Sequence, residues 1–182
     1  VRGEAFRAVV KLAEKGDVRA IAAVIARMGE SSPSQRLDAS RLLPKVADRG
    51  DKNAVAGVAG LLQNQFPDVR KLGLETLPKV ADQGDEVAVA AASSMLQDEK
   101  SGVRHEAFQC LTVLAEKGDR RVIGAAMARL ESKEEHTRKL AVEALGKVAD
   151  QGNRVVVSAL GACLQDTIPE VRRLALHSVV KI

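Results

Sequence analysis

The sequence has no tryptophan and no tyrosine, and its only aromatic residues are three phenylalanines in 182 positions. A core built on large rings is therefore excluded. An Ala/Leu/Val interior packed between helices is not, because it needs no rings to fill its space. Cysteine is scarce as well. Cys110 and Cys163 form no CxxC motif and no Cys/His cluster, so neither a disulfide framework nor a zinc site is expected. Both fall at helical positions and read as small core residues, and their free thiols favour a reducing compartment. No apolar run reaches the roughly 18 to 20 residues that span a bilayer. No signal peptide is visible. Neither charge sign dominates: 28 Lys and Arg against 24 Asp and Glu leave +4. That is a mild bias toward acidic partners and chiefly an aid to solubility.

What the sequence has in abundance is repetition. Glycines recur at Gly16, Gly50, Gly84, Gly118 and Gly152, each 34 residues from the last. The residue that follows is Asp17, Asp51, Asp85, Asp119 and then Asn153. An arginine column runs through Arg2, Arg36, Arg70, Arg104, Arg138 and Arg172 at the same spacing. The chain begins at Val1 and ends at Ile182, both inside a repeat. The expectation is one array over residues 1–182, about five and a half repeats, cut from a longer array.

Each repeat reads as two helices. Val69, Leu72, Gly73, Thr76, Leu77 and Val80 fall on one helical face, with Lys71, Glu75, Lys79 and Asp82 opposite. Gly84 suits a helix C′ position and Asp85 the N-cap of the second helix. That helix carries Val89, Ala92 and Leu96 on its buried side. Pro33, Pro67 and Pro169 open first-type helices, where a missing N–H costs nothing. A single hairpin cannot bury its apolar stripe, but stacked hairpins can. The fold expected is all-α: a right-handed α-solenoid of antiparallel helical hairpins, about eleven helices long.

These columns resemble HEAT repeats, of the short subtype first recognised in phycobilisome lyases. The matching elements are Val69-Arg70, Val103-Arg104 and Val171-Arg172, then Ala107, Ala141 and Ala175 three residues after an arginine. The Gly-Asp turn follows, and second helices end Leu-Gln-Asp at 96–98 and 164–166. The resemblance implies a scaffold or adaptor. Two enzyme classes use similar repeats. Deoxyhypusine hydroxylase holds di-iron through His-Glu pairs, of which this chain has one, His105-Glu106; a single pair does not complete such a site. A bilin lyase-like activity meets the missing aromatics. No catalytic residue, metal site or cofactor is expected.

Three columns carry charge. Arg70 lies at the edge of the buried stripe in the first turn of its helix, where the helix dipole disfavours a cation. A partner is therefore expected in a neighbouring inter-helix turn, a carbonyl or a carboxylate such as the Asp51 or Asp85 column. Glu14, Asp48, Asp82, Glu116 and Asp150 read as a solvated face. Lys11, Lys45, Lys79, Lys147 and Lys181, broken by Val113, interleave with glutamates at i,i+4. His136 and His177 read as surface residues.

The second helices stand out. Opposite their buried side lie Ala22/Ala26, Ala56/Gly60, Ala90/Ser94, Gly124/Ala128 and Ser158/Ala162, all Ala, Gly or Ser. An ordinary solvent face carries Lys, Glu or Gln. Small residues there indicate crowding between helices on a concave side, or close approach by a partner. Around them Arg19, Arg27, Lys52, Arg120, Arg121, Arg129 and Arg154 outnumber Glu86 and Glu131 by five. The candidate binding residues are Ala56, Gly60, Ala90, Ser94, Gly124 and Ala128, with Arg19, Lys52, Arg120, Arg121 and Arg154 as a basic rim. The expected partner is a protein, with an acidic or helical segment laid on that face. The alternatives are a structural subunit of a large assembly and a module that binds nucleic acid or another polyanion.

Overall fold

The computed structural model describes residues 6, 8, 10, 12–30 and 32–182. Among these residues there are ten α-helices and no strand: α1 (Val18–Met28), α2 (Pro33–Val46), α3 (Lys52–Leu61), α4 (Pro67–Val80), α5 (Glu86–Ser94), α6 (Ser101–Leu114), α7 (Arg120–Met127), α8 (Glu135–Val148), α9 (Arg154–Ala162) and α10 (Pro169–Lys181). Short 3-10 turns, Met95–Gln97 and Cys163–Gln165, extend α5 and α9. Phe6, Ala8, Val10 and Leu12 are helical too, but most of the first of the eleven expected helices, with Arg2 and Lys11, lies outside the described residues. The chain divides into two compact units, residues 1–110 and 111–182. The first holds α1 to α5 and most of α6; the second holds the end of α6 and α7 to α10.

Within each unit the hairpin follows from sequence. The second helices start where Asp17, Asp51, Asp85, Asp119 and Asn153 accept the exposed N–H groups of the first turn, for example Asp51 Oδ1 from Asn53 at 2.8 Å and Ala54 at 2.9 Å. Prolines sit in the first turns of α2, α4 and α10. The six residues read as the inner face of α4 are all buried, as are Val89, Ala92 and Leu96. Leu74, outside the expected stripe, is fully buried as well. A helix inside a stack has neighbours on two sides, so its apolar face is wider than that of a helix on one sheet or core.

The glycine column does not do what its spacing implies. α4 ends at Val80, and extended Ala81 follows as its C-cap. Gly84 therefore lies beyond the C′ position, third in the turn Asp82–Asp85, closed by Asp85 N–H to Asp82 O at 3.2 Å. Its φ of +80° is the left-handed value that the third residue of a type II turn requires. This geometry aims the glycine N–H at the next repeat. Gly16 donates to Val46 O and Gly50 to Val80 O, both at 2.7 Å, and in the second unit Gly118 donates to Val148 O at 2.7 Å and Gly152 to Ile182 O. Each bond satisfies a carbonyl that the end of a first-type helix leaves without a partner. The glycine is thus a stacking residue as well as a turn residue.

Candidate partner-binding face

The arginine column has a structural partner, and it is not the aspartate column named from sequence. Arg70 donates Nε to Asp98 Oδ2 at 2.6 Å and Nη2 to Asp98 Oδ1 at 2.8 Å, a bidentate pair with side chains 9% and 6% exposed. Arg138 holds Asp166 the same way, at 2.7 and 3.0 Å. Asp51 and Asp85 are instead occupied as helix caps. Both arginine–aspartate partners close the second helix of their own repeat. The remaining Nη1 donates to a carbonyl of the preceding turn: Glu30 from Arg36, Asn64 from Arg70, Asp98 from Arg104, Ser132 from Arg138 and Asp166 from Arg172. The Arg70 guanidinium holds the Asp98 carboxyl below its ordinary range, and Arg138 does so for Asp166. These are stacking bonds, satisfied within the protein.

Two members of the acidic column form ion pairs on the exposed face. Lys15 pairs with Asp48 at 2.6 Å and Arg49 with Asp82 at 3.5 Å, each linking one inter-helix turn to the next. Lys45, Lys79, Lys147 and Lys181 are exposed, as are His136 and His177. Burial, and then the Glu75 carboxylate, push the half-buried Glu106 carboxyl up. Among the described residues no three His, Cys, Asp or Glu side chains are grouped to hold a metal ion. Cys110 is buried, and desolvation pushes its thiol up to about 12, away from the reactive thiolate. No helix of the described residues is long and apolar enough to cross a membrane.

The second helices keep the character read from sequence. All ten small residues, Ala22, Ala26, Ala56, Gly60, Ala90, Ser94, Gly124, Ala128, Ser158 and Ala162, are exposed. At two of them a side chain has room to begin: a Cβ built on Gly60 or Gly124 meets no heavy atom within 4 Å. In the first unit Ala56 and Gly60 lie on α3, and Ala90 and Ser94 on the adjoining α5. In the second unit Gly124 lies on α7 with Ala128 as its C-cap, and Ser158 and Ala162 lie on α9.

The basic rim is less uniform. Lys52 stands four residues before Ala56, Arg120 four before Gly124 and Arg154 four before Ser158, so each continues its strip one turn toward the helix N-terminus. All three are exposed. In the same column Val18 and Glu86 break the run. Arg19 and Arg121 stand one residue off the strip, and Arg121 pairs with the capping Asp119 at 3.1 Å. Arg27 packs over the Phe6 ring at 4.5 Å, and Arg129 donates to Ala125 O at 2.8 Å, so neither is an open cation. The positive charge of the strip is thus concentrated in the second unit.

A cavity of about 300 Å³ separates the C-terminal ends of α7 and α9, lined by Met127, Leu130, Glu131, Ala159, Ala162, Cys163, Gln165 and Asp166. No repeated column marks it: of its lining residues only Glu131 and Gln165 share a repeat position. Ala162 belongs to both the cavity and the strip.

Residues 108–181 match the family described as HEAT repeats. No curated protein matches the sequence. Among solved structures the chain is similar to a designed armadillo repeat protein in complex with the peptide (KR)4, with TM-score 0.66 and 16% identity over 98% of this chain and 91% of that one. It is similar to the HEAT-like repeats protein of the archaeon Thermococcus onnurineus NA1, with TM-score 0.59 and 20% identity over 98% and 74%. A chain of the Pds5–Scc1 complex matches with TM-score 0.60 and 13% identity over 88% and 28%. At these identities the likeness is one of fold.

Proposed function

We propose that this chain, a solenoid of HEAT-type repeats, is a non-enzymatic scaffold that binds a protein partner along the exposed face of its second helices. The observation that carries this reading is the strip of ten exposed Ala, Gly and Ser residues, with open space around Gly60 and Gly124. Exposed small residues leave the helix backbone open to close approach. The arginine column gives no comparable opening, since its guanidinium groups hold the repeats together. A designed relative in fold binds the basic peptide (KR)4. A partner facing Arg120 and Arg154 here would carry the opposite charge.

Peptides selected on the immobilised chain from a random displayed library test the reading, with binding mapped by hydrogen exchange. Protection is expected in 52–61, 86–94, 120–127 and 154–162. Protection confined to the first-type helices, or no selected peptide at all, overturns it.

A further inference from the structure

We infer that the second unit's share of this face is a polar-to-apolar slot that takes one amphipathic helix, acidic at one end and aliphatic about two turns further on. The inference rests on the scaffold reading above and names the chemistry of the partner.

The sequence arranges the slot in three levels. Arg120 and Gly124 stand at i and i+4 on α7, with Ala128 at i+8 as its C-cap, and Arg154, Ser158 and Ala162 have the same spacing on α9. The two helices therefore present the same order: a cation at the N-terminal end, then Gly or Ser, then Ala. Arg120 and Arg154 are exposed, and neither has a carboxylate within ion-pair distance among the described residues. Neither first turn contains an acidic residue; the cap before Arg154 is the neutral Asn153, and the Asp119 carboxylate that caps α7 is paired with Arg121. The first unit lacks this doubling, because Glu86 on α5 offsets Lys52 on α3.

At the other end lies the 300 Å³ cavity, whose walls are Met127, Leu130, Ala159, Ala162 and the Cys163 side chain. Its charged members are Glu131 and Asp166, and Arg138 already neutralises Asp166. An aliphatic side chain fits this end, while acidic side chains are repelled by Glu131. The middle level is a floor: Gly124 has no side chain, and nothing stands within 4 Å of where one would begin.

Eight helical residues separate the arginines from Ala128 and Ala162, about 12 Å at 1.5 Å per residue. A helical partner bridges that length with residues seven or eight apart on one face. Carboxylates over Arg120 and Arg154 and a Leu or Ile in the cavity then engage together. Charge complementarity also selects the helix direction, because reversing it puts acid beside Glu131.

The experiment uses the full chain and a fluorescein-labelled 16-residue helical peptide with Glu at positions 3, 4 and 7 and Leu at 11, 12 and 15. Fluorescence anisotropy should show saturable binding. Arg120→Glu/Arg154→Glu should weaken it at least tenfold, as should Ala162→Glu at the cavity mouth. Lys79→Glu, exposed on the first-type helix α4, should leave it within twofold. A peptide with the same composition and its acids moved beside the leucines should bind at least tenfold more weakly. Each surface substitution is checked by its melting curve, so a loss of binding with loss of fold is recognised, and Arg120→Gln/Arg154→Gln then replaces the charge reversal. Equal binding of the two peptides, or indifference to the arginine changes, overturns the inference. So does a single-stranded oligonucleotide that competes through the arginines while Ala162→Glu has no effect, which assigns the site to polyanions. If selected peptides of other chemistry still protect the second helices, the scaffold reading survives and this one falls. If none does, both fall.

Discussion

Arg70 stands in the first turn of α4, where the helix dipole opposes a cation, yet its side chain is 9% exposed and fully engaged. The opposition is offset by two bonds to Asp98 and two to turn carbonyls, of Asn64 and Gln65. Removing one member of a buried pair leaves the other charge without compensation, at a cost of about 3–5 kcal/mol. Asp98→Ala should therefore lower stability by about 3 kcal/mol in chemical denaturation. Asp68→Ala, whose side chain is 82% exposed and 4.0 Å from Arg36, should cost under about 1 kcal/mol. Equal effects would mean that the bidentate geometry contributes nothing.

The same pairs set an acid limit. Asp98 and Asp166 have folded-state values lowered from 3.8, chiefly by hydrogen bonds from Arg70 and Arg138. Between 3.8 and those lowered values the unfolded chain binds more protons than the folded one, so stability falls as pH falls. The contribution is complete above the ordinary aspartate range and lost below the folded-state values. Thermal melts from pH 7 to pH 2 should show the wild type losing stability below about pH 4. Asp98→Asn/Asp166→Asn should melt lower at pH 7 and lose less across that interval. An unchanged slope in the double variant would place the acid sensitivity in other carboxyls.

At the level of the helix and turn, two glycines of one hairpin make opposite forecasts. Gly50 has φ +79°, and a Cβ there runs into the Asp82 carboxylate. Gly50→Ala should cost at least the 1–2 kcal/mol of a left-handed alanine, and it disturbs the bond from Gly50 N–H to Val80 O. Gly60 is an ordinary helical residue near the end of α3 with open space around its missing Cβ. Gly60→Ala should stabilise by up to about 1 kcal/mol. Denaturant midpoints of the two variants should move in opposite directions. A destabilising Gly60→Ala would favour crowding as the reason for small residues on the strip. The contrast also shows what the sequence made legible. Glycine, capping aspartate and helix-face hydrophobics repeat in register, so hairpin, cap and inner face are read directly. The partner of Arg70 is not, because residues 28 positions after the column arginines are Glu30, Asn64, Asp98, Ser132 and Asp166 and form no column of one residue type. The strip was visible for the opposite reason: it is a column defined by what never appears in it. Its cavity was not, because a void between two helix ends depends on their separation, which no periodicity encodes.

Across the molecule, one position of the repeat meets two environments. Leu74, Phe108 and Val142 are at most 2% exposed, whereas Leu176, the next member of the column, is 57% exposed. Stability in a repeat array is close to a sum of hairpin terms and nearest-neighbour interface terms. A residue's contribution then depends on whether a following hairpin packs on it, and not on its identity alone. α4 packs against α2 and α3 in the first unit, and α10 against α8 and α9 in the second. Leu74→Ala should cost about 2–5 kcal/mol, the range for a fully buried leucine. Leu176→Ala should stay within about 0.5 kcal/mol, as for an exposed substitution. Guanidinium titrations followed by circular dichroism measure both in the same chain. Comparable losses would show that Leu176 acquires a cover in solution, and raising the protein concentration would then separate the causes: self-association makes the Leu176 effect concentration-dependent, whereas packing within one chain does not.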